Sequence, residues 1–290
     1  MDKLDNIGEN EIRIIGSNNE EPSRMPRKHS WPLAWIVAGA LVIGALIWLL
    51  LSGGEEQNAT LTVTAIQQDV TSKQKTPSVI SSYVVISDTI INNVSLHRYI
   101  PVKAKPKLVM GLLKQIPSEY VLGAMAADFG KYGEEYQVVG GFVYHGEIVS
   151  HSKSKYGFCA LLKDTVVIGN DLTTSYFEQA VEEMGDFFRQ HALVHQGEVV
   201  NSVISQSEAL RRALCRLDDG RICIIDTDMS VSLAAFSTAL CQYGVVDAIA
   251  LMGSGAAVRW AVDQAGRRYI AGADEYDFPE VVNYIVWEKE

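Results

Sequence analysis

Between Trp31 and Ser52 the chain reads WPLAWIVAGALVIGALIWLLLS, with no charged side chain anywhere in it. Such a run is about long enough to cross a hydrocarbon core of roughly 30 Å as one helix. Trp31, Trp35 and Trp48 lie toward its ends, where indole rings favour the membrane interface. It starts later than the apolar part of a cleaved signal peptide and lacks a clear small-x-small cleavage site. Arg24, Arg27, Lys28 and His29 stand before it, and Gly53-Gly54-Glu55-Glu56 follow. The positive-inside bias then places the N-terminus in the cytoplasm and residues 53–290 outside, in the periplasm if the source is Gram-negative. The bilayer is therefore the first partner expected.

This span organises the rest. Residues 1–30 are polar, mixed in charge and poor in aromatics, which predicts a disordered cytoplasmic tail. Residues 53–59 form a short linker, and 60–290 an outer domain. A hydrophobic content of 48% with 21% charged residues is that of a globular chain. A net charge of −10 argues against nucleic acid as a partner, because the phosphate backbone repels it. Four cysteines do not make a disulfide scaffold at this length.

In the outer domain, LTVTAI (61–66) and SSYVVIS (81–87) carry the β-branched and aromatic residues of strands. Residues 88–116 read as further strands, which Pro101 and Pro106 restrict to edges or breaks. Pro117 to Phe129 reads as a helix, with Pro at its start and Val121, Leu122, Met125, Ala126 and Phe129 at helical spacing. YQVVGGFVYHG (136–146) reads as a buried strand entering a glycine turn, and 157–163 with 165–169 as a strand pair. Thr174 to Gln190 reads as a helix opened by a capping box, Ser175-x-x-Glu178. Residues 212–228 read as a hairpin turning at Asp218-Asp219-Gly220. Ser232 to Tyr243 reads as a helix with Leu233, Phe236 and Leu240 inward and Gly244 ending it. VVDAIALMG is a strand, and 258–272 a closing hairpin with its turn near Gln264 to Gly266. Hairpins mixed with isolated helices predict an α+β fold of mixed sheets and a few packed helices, preceded by the transmembrane helix. With a three-residue turn at 218–220, Cys215 faces Cys223 across the hairpin. The pair is then either a strained cross-strand disulfide or two buried thiols.

Gly253-Ser254-Gly255 resembles a phosphate cradle only superficially. The dinucleotide fingerprint needs a helix after its glycines and a complete βαβ unit, and here a strand and turn follow. No Walker lysine follows, and the glycines sit directly beside Ser254, unlike a nucleophile elbow. His145 and His151 flank a turn, and His191 and His195 lie four apart in a strand-like context. Neither pair makes a metal motif, and no cofactor is expected.

The order of motifs resembles the phosphodiester glycosidase family, the domain of the enzyme that uncovers mannose-6-phosphate tags and of many bacterial envelope proteins. The resemblance spans roughly residues 80–287. The family segment N-G-G-F/Y-F corresponds to Val139-Gly140-Gly141-Phe142-Val143. R-x-A-I followed by D-G-R corresponds to Arg211-Arg212-Ala213-Leu214 and Asp219-Gly220-Arg221. A strand ending in aspartate is matched by Asp228, and L-G-A-x-D-A-L-N-L-D-G-G-G-S-S-T by residues 243–258.

The resemblance implies hydrolysis of a sugar phosphodiester or a related glycosidic bond. Its ligand would be an envelope glycan or sugar phosphate. Asp228 and Arg211 become candidate catalytic residues, with Gly140, Gly141, Phe142, Gly253, Ser254 and Gly255 as candidate substrate-binding residues. A carboxylate would serve acid–base or nucleophilic work, and arginine with turn N–H groups would hold phosphate oxygens. Asp228 has a plainer reading as a strand-end residue.

The departures from the pattern are directional. Ala250 stands for the family's Asn, Met252 for its Asp, Ala256 and Ala257 for its serines, Val258 for its Thr and Val139 for the earlier Asn. G-P-L-L appears as His191-Ala192-Leu193-Val194. Polarity is lost while the turn glycines remain, which implies a divergent member with a degenerate active site. The alternative is a non-catalytic binding or assembly module of the envelope. If active, the domain would be a glycosidase-type hydrolase. No protein partner can be read from the sequence.

Overall fold

The hairpins foreseen from turn chemistry form as expected. β14 (Arg212–Leu217) and β15 (Ile222–Asp226) pair antiparallel around Asp218-Asp219-Gly220, with Gly220 at φ +83°, and Cys215 is the direct partner of Cys223. Both cysteines are buried free thiols. These observations come from a computed structural model, in which the described residues are 82–200, 207–253, 255–272 and 278–290. All of them belong to one unit, Lys73–Glu290. The tail, the apolar segment Trp31–Ser52, the linker and the strand at 61–66 lie outside the described residues. Among those described, no helix is long and apolar enough to cross a membrane.

Three sheets and a ribbon account for the described strands, and the strand pairings are antiparallel. The first sheet runs β1 (Tyr83–Ile91), β2 (Val94–Val102), β15, β14, β16 (Val245–Ala250), β12 (Ala192–His195), β13 (Glu198–Val199). The second runs β10 (Val166–Asn170), β9 (Gly157–Leu161), β11 (Asp186–Gln190), β7 (Phe142–Tyr144), β8 (Glu147–Ser150). The third runs β18 (Arg268–Ala271), β17 (Arg259–Val262), β4 (Tyr120–Met125), β19 (Asn283–Lys289), β3 (Ala104–Met110). β5 (Phe129–Tyr132) and β6 (Glu135–Val138) make the ribbon. The helices described are α1 (Tyr176–Glu182) and α2 (Leu233–Gln242). The described residues are thus mostly β, with fewer and shorter helices among them than the α+β expectation.

Two predicted helices fail for one physical reason. Tyr120–Met125 is a strand buried at every position, flanked by β17 and β19. A strand covered on both faces shows no alternation, so its apolar run fits helical spacing by accident. Gly123 fits this place because a Cβ there would meet the Trp260 ring at 2.2 Å. The helix expected over 174–190 stops at Glu182. Met184 at φ +56° turns the chain, and Asp186–Gln190 becomes a fully buried central strand. The capping box does not form, because the Ser175 side chain makes no cap bond. In α2, by contrast, Ser232 accepts from Ala235 N, and Leu233, Phe236 and Leu240 are buried as predicted. The prolines sit where a missing N–H is tolerated. Pro106 lies on the edge strand β3, and Pro101 lies beyond the His97–Tyr99 stretch of β2 that pairs with β15.

The sheets share one core. Leu214, Ile224 and Ile249 from the first sheet meet Leu122, Ala124 and Ile285 from the third and Phe142, Cys159 and Phe188 from the second. Each leucine, isoleucine or phenylalanine among them contributes about 1.5–3 kcal/mol by leaving water. The other face of the first sheet, with Ala213, Cys215, Cys223 and Ile225, is covered by Phe236 and Leu240 of α2.

Candidate functional site

Side-chain alternation sets the character of one end of this shared core. Along β15, Cys223 and Ile225 face α2 while Ile224 faces the core, so Asp226 follows Ile224 inward. Along β14, Ala213 and Cys215 face α2, so Arg212 follows Leu214 inward. Arg212 and Asp226 are direct cross-strand partners. From the third sheet, Ala261 faces the core and Trp260 faces away, which turns Arg259 inward as well. The apolar core is therefore capped by a charged group drawn from two sheets.

Asp226 is buried, and its Oδ2 accepts from Arg259 Nε at 2.9 Å and lies 3.5 Å from Arg212 Nε. The Arg259 guanidinium stacks over the Tyr99 ring, 4.1 Å from its centroid. Arg212 Nη1 donates to the carbonyls of Met252, Ala257 and Val258, so this arginine carries the 252–258 loop. Its Nε is buried without a hydrogen bond of good geometry. Burial lowers the Arg212 pKa, against the pull of Asp226. Burial, reinforced by Asp226, raises that of the Tyr99 hydroxyl. Two buried arginines against one buried carboxylate leave an excess of positive charge in a chain whose net charge is −10.

A cavity of about 280 Å³ opens onto this group. Arg211, Asp228, Gly253 and Gly255 line it, so four of the sequence-predicted site residues meet at one place. Their roles are uneven. Arg211 gives Nε to the Val231 carbonyl at 3.0 Å and Nη2 to the Ser207 carbonyl, which ties the rim together. Gly253 fits against β14, since a Cβ there would come within 2.5 Å of the Leu210 carbonyl. Asp228 lies two residues past the end of β15, with its side chain 59% exposed. The strand itself ends on Asp226. Ser254 lies outside the described residues.

His97 of β2 stands between two carboxylates at the mouth. Its Nδ1 lies 2.7 Å from Asp88 Oδ1 and its Nε2 3.2 Å from Asp228 Oδ2. Desolvation opposes its charge, but the bonds to Asp88 and Asp228 outweigh this and raise its pKa. Desolvation likewise opposes the Asp228 charge, and His97 outweighs it, so the Asp228 pKa is lowered.

Gly140, Gly141 and Phe142 do not line this cavity. Phe142 is fully buried in the shared core. Gly140, at φ +100°, packs against Arg189, and both glycines lie under the 152–154 backbone. Beside them Lys155 pairs with Asp128 at 2.5 Å and donates to Gln190 Oε1 at 3.1 Å. The two regions are joined through one strand end. Leu251 N bonds the Arg212 carbonyl, Met252 N bonds the Ala126 carbonyl, and Ala250 N bonds the His191 carbonyl. Met252 packs with the apolar group around Trp260. Among the described residues no cluster of His, Cys, Asp or Glu fits a metal ion.

Sequence reasoning missed Asp226, Arg212, Arg259, Tyr99 and His97 as site residues. A signal existed for the first two. The hairpin register that sets Cys215 opposite Cys223 also sets Arg212 opposite Asp226, and opposed charges inside an apolar hairpin are uncommon.

The sequence matches the phosphodiester glycosidase family over residues 121–286. No curated protein sequence matches it. Among solved structures, the catalytic domain of zebrafish N-acetylglucosamine-1-phosphodiester alpha-N-acetylglucosaminidase, auto-inhibited by pro-peptide, is similar over 75% of this chain and 86% of that chain. The two are 14% identical, with a TM-score of 0.52. A hypothetical protein from Synechocystis is similar over 72% of this chain and 62% of its own, at 10% identity and a TM-score of 0.49. The likeness to the zebrafish domain concerns the fold.

Proposed function

This chain belongs to the phosphodiester glycosidase family, and from that premise we propose that it binds a sugar phosphodiester or related anionic glycan in the cavity beside Asp226 without hydrolysing it. The observation that carries this reading is the state of the carboxylates. Asp226, the buried one, is held by Arg259 and Arg212. A carboxylate so placed is the counter-charge that two buried cations require, which is a structural task. Asp228 is the other carboxylate lining the cavity, it is itself paired with His97, and one carboxylate does not make the acid–base or nucleophile pair of glycoside hydrolysis. At the loop positions where the family places Asn, Asp, Ser and Thr, this chain has Ala250, Met252, Ala256, Ala257 and Val258, which transfer no proton. The excess cationic charge and the retained glycine turn still suit an anion.

A second reading keeps catalysis, with Asp228 as the working carboxylate and Arg211 beside it. It is favoured by the shared cavity of Arg211, Asp228, Gly253 and Gly255. In either reading the domain is anchored through residues 31–52 and works outside the cytoplasm, in the cell envelope, with residues 1–30 on the cytoplasmic side.

The test is release of p-nitrophenol from a p-nitrophenyl sugar phosphodiester by the full chain, beside an active family member. The expected outcome is binding without release. Turnover that disappears in Asp228→Asn would overturn the non-catalytic reading.

A further inference from the structure

Resting on the reading of this cavity as an anion site, we propose that anion binding is coupled to the proton on His97: the imidazolium form holds the ligand and the neutral form lets it go. Geometry carries the argument. Both ring nitrogens of His97 face carboxylate oxygens, Asp88 on one side and Asp228 on the other. A neutral imidazole has a single N–H and can satisfy only one of them, leaving a nitrogen lone pair against a carboxylate. The doubly protonated ring gives Asp88 a hydrogen bond and Asp228 an ion-pair contact at 3.2 Å, where Nε2 is buried and otherwise without a partner. The arrangement therefore selects the cation, in line with the direction in which its pKa moves.

The groups facing His97 fix the sign of the coupling. Asp88 comes from β1 and Asp228 from beyond β15, while Asp226 is its cross-strand partner on β15. Arg211, Arg212 and Arg259 line the same cavity. With His97 charged, four cations oppose three carboxylates. When His97 loses its proton the charges balance, and the mouth no longer favours an anion. Conversely, binding an anion at a pH above the His97 pKa draws one proton from solvent onto the ring. The outer compartment's pH would then set ligand occupancy, with Arg212 and Arg259 supplying constant charge and His97 the variable part.

Equilibrium dialysis of the full chain against sulfate tests this, since sulfate keeps its charge from about pH 5 to 9. The expected result is affinity falling on the order of tenfold over that range, with its midpoint at the His97 pKa read from the imidazole proton resonances. His97→Gln should bind weakly and without pH dependence. Asp88→Asn, altered at an exposed side chain, should keep the fold and move the midpoint down by about half a pH unit or more. Sulfate binding that ignores pH in the unaltered protein, or a pH dependence that survives in His97→Gln, would overturn the coupling alone. Absence of sulfate binding at every pH would overturn the anion site and the coupling with it.

Discussion

Asp226 is nearly as buried as the leucines of the core, yet it stands between two guanidinium groups. Replacing it with alanine leaves Arg212 and Arg259 buried and unpaired, which costs about 3–5 kcal/mol. Urea unfolding followed by circular dichroism should show that loss. Glycines make a second comparison. Gly123→Ala drives a methyl group into the Trp260 ring and should cost at least about 1–3 kcal/mol. Gly255→Ala meets open space and should stay within about 0.5 kcal/mol of the unaltered protein. The residues that matched a family motif and the residues that hold the cavity overlap only in part. Arg211 matched and ties the rim, whereas Arg259 matched nothing, because one charge inside VRWAV gives no local hint that its partner lies on another sheet.

At the scale of elements, local chemistry was readable and burial was not. Gly220 and Gly244 mark the hairpin and the end of α2 because those turns need positive φ. Ser232 marks the start of α2 because its side chain satisfies an otherwise unpaired N–H. Tyr120–Met125 and Asp186–Gln190 were misread because each is a central strand buried along its whole length. No rule of alternation applies to a strand wetted on neither face. The two helix starts give a paired prediction. Ser232→Ala should cost about 1 kcal/mol, and Ser175→Ala only a few tenths, since the Ser175 side chain makes no cap bond. Thermal melts of the two variants side by side decide this.

For the whole molecule, stability should peak in mildly acid solution. His97 is easier to protonate in the folded state, so its contribution is complete below the ordinary imidazole value of 6.5 and is lost as pH rises through its raised pKa. Asp128 and Asp228 have lowered pKa values. Desolvation opposes this in both, and Lys155 and His97 respectively outweigh it. Their contributions are complete above the ordinary carboxylate value of 3.8 and are lost as pH falls through the lowered values. Melting temperatures scanned across pH should fall on both sides of the interval between 3.8 and 6.5. His191, whose pKa burial lowers, acts in the opposite sense, so the His97 contribution is read as the difference on the alkaline side between this profile and that of His97→Gln. The third sheet has a further consequence. β19 lies between β4 and β3, so residues 104–110 and 120–125 have no complete neighbour until residues 283–289 arrive. Ribosomes add about 5–20 residues per second, which leaves those early strands waiting on the order of ten seconds. A chaperone acting on the growing chain would find its binding segment there, and would lose it when the last strand closes the sheet.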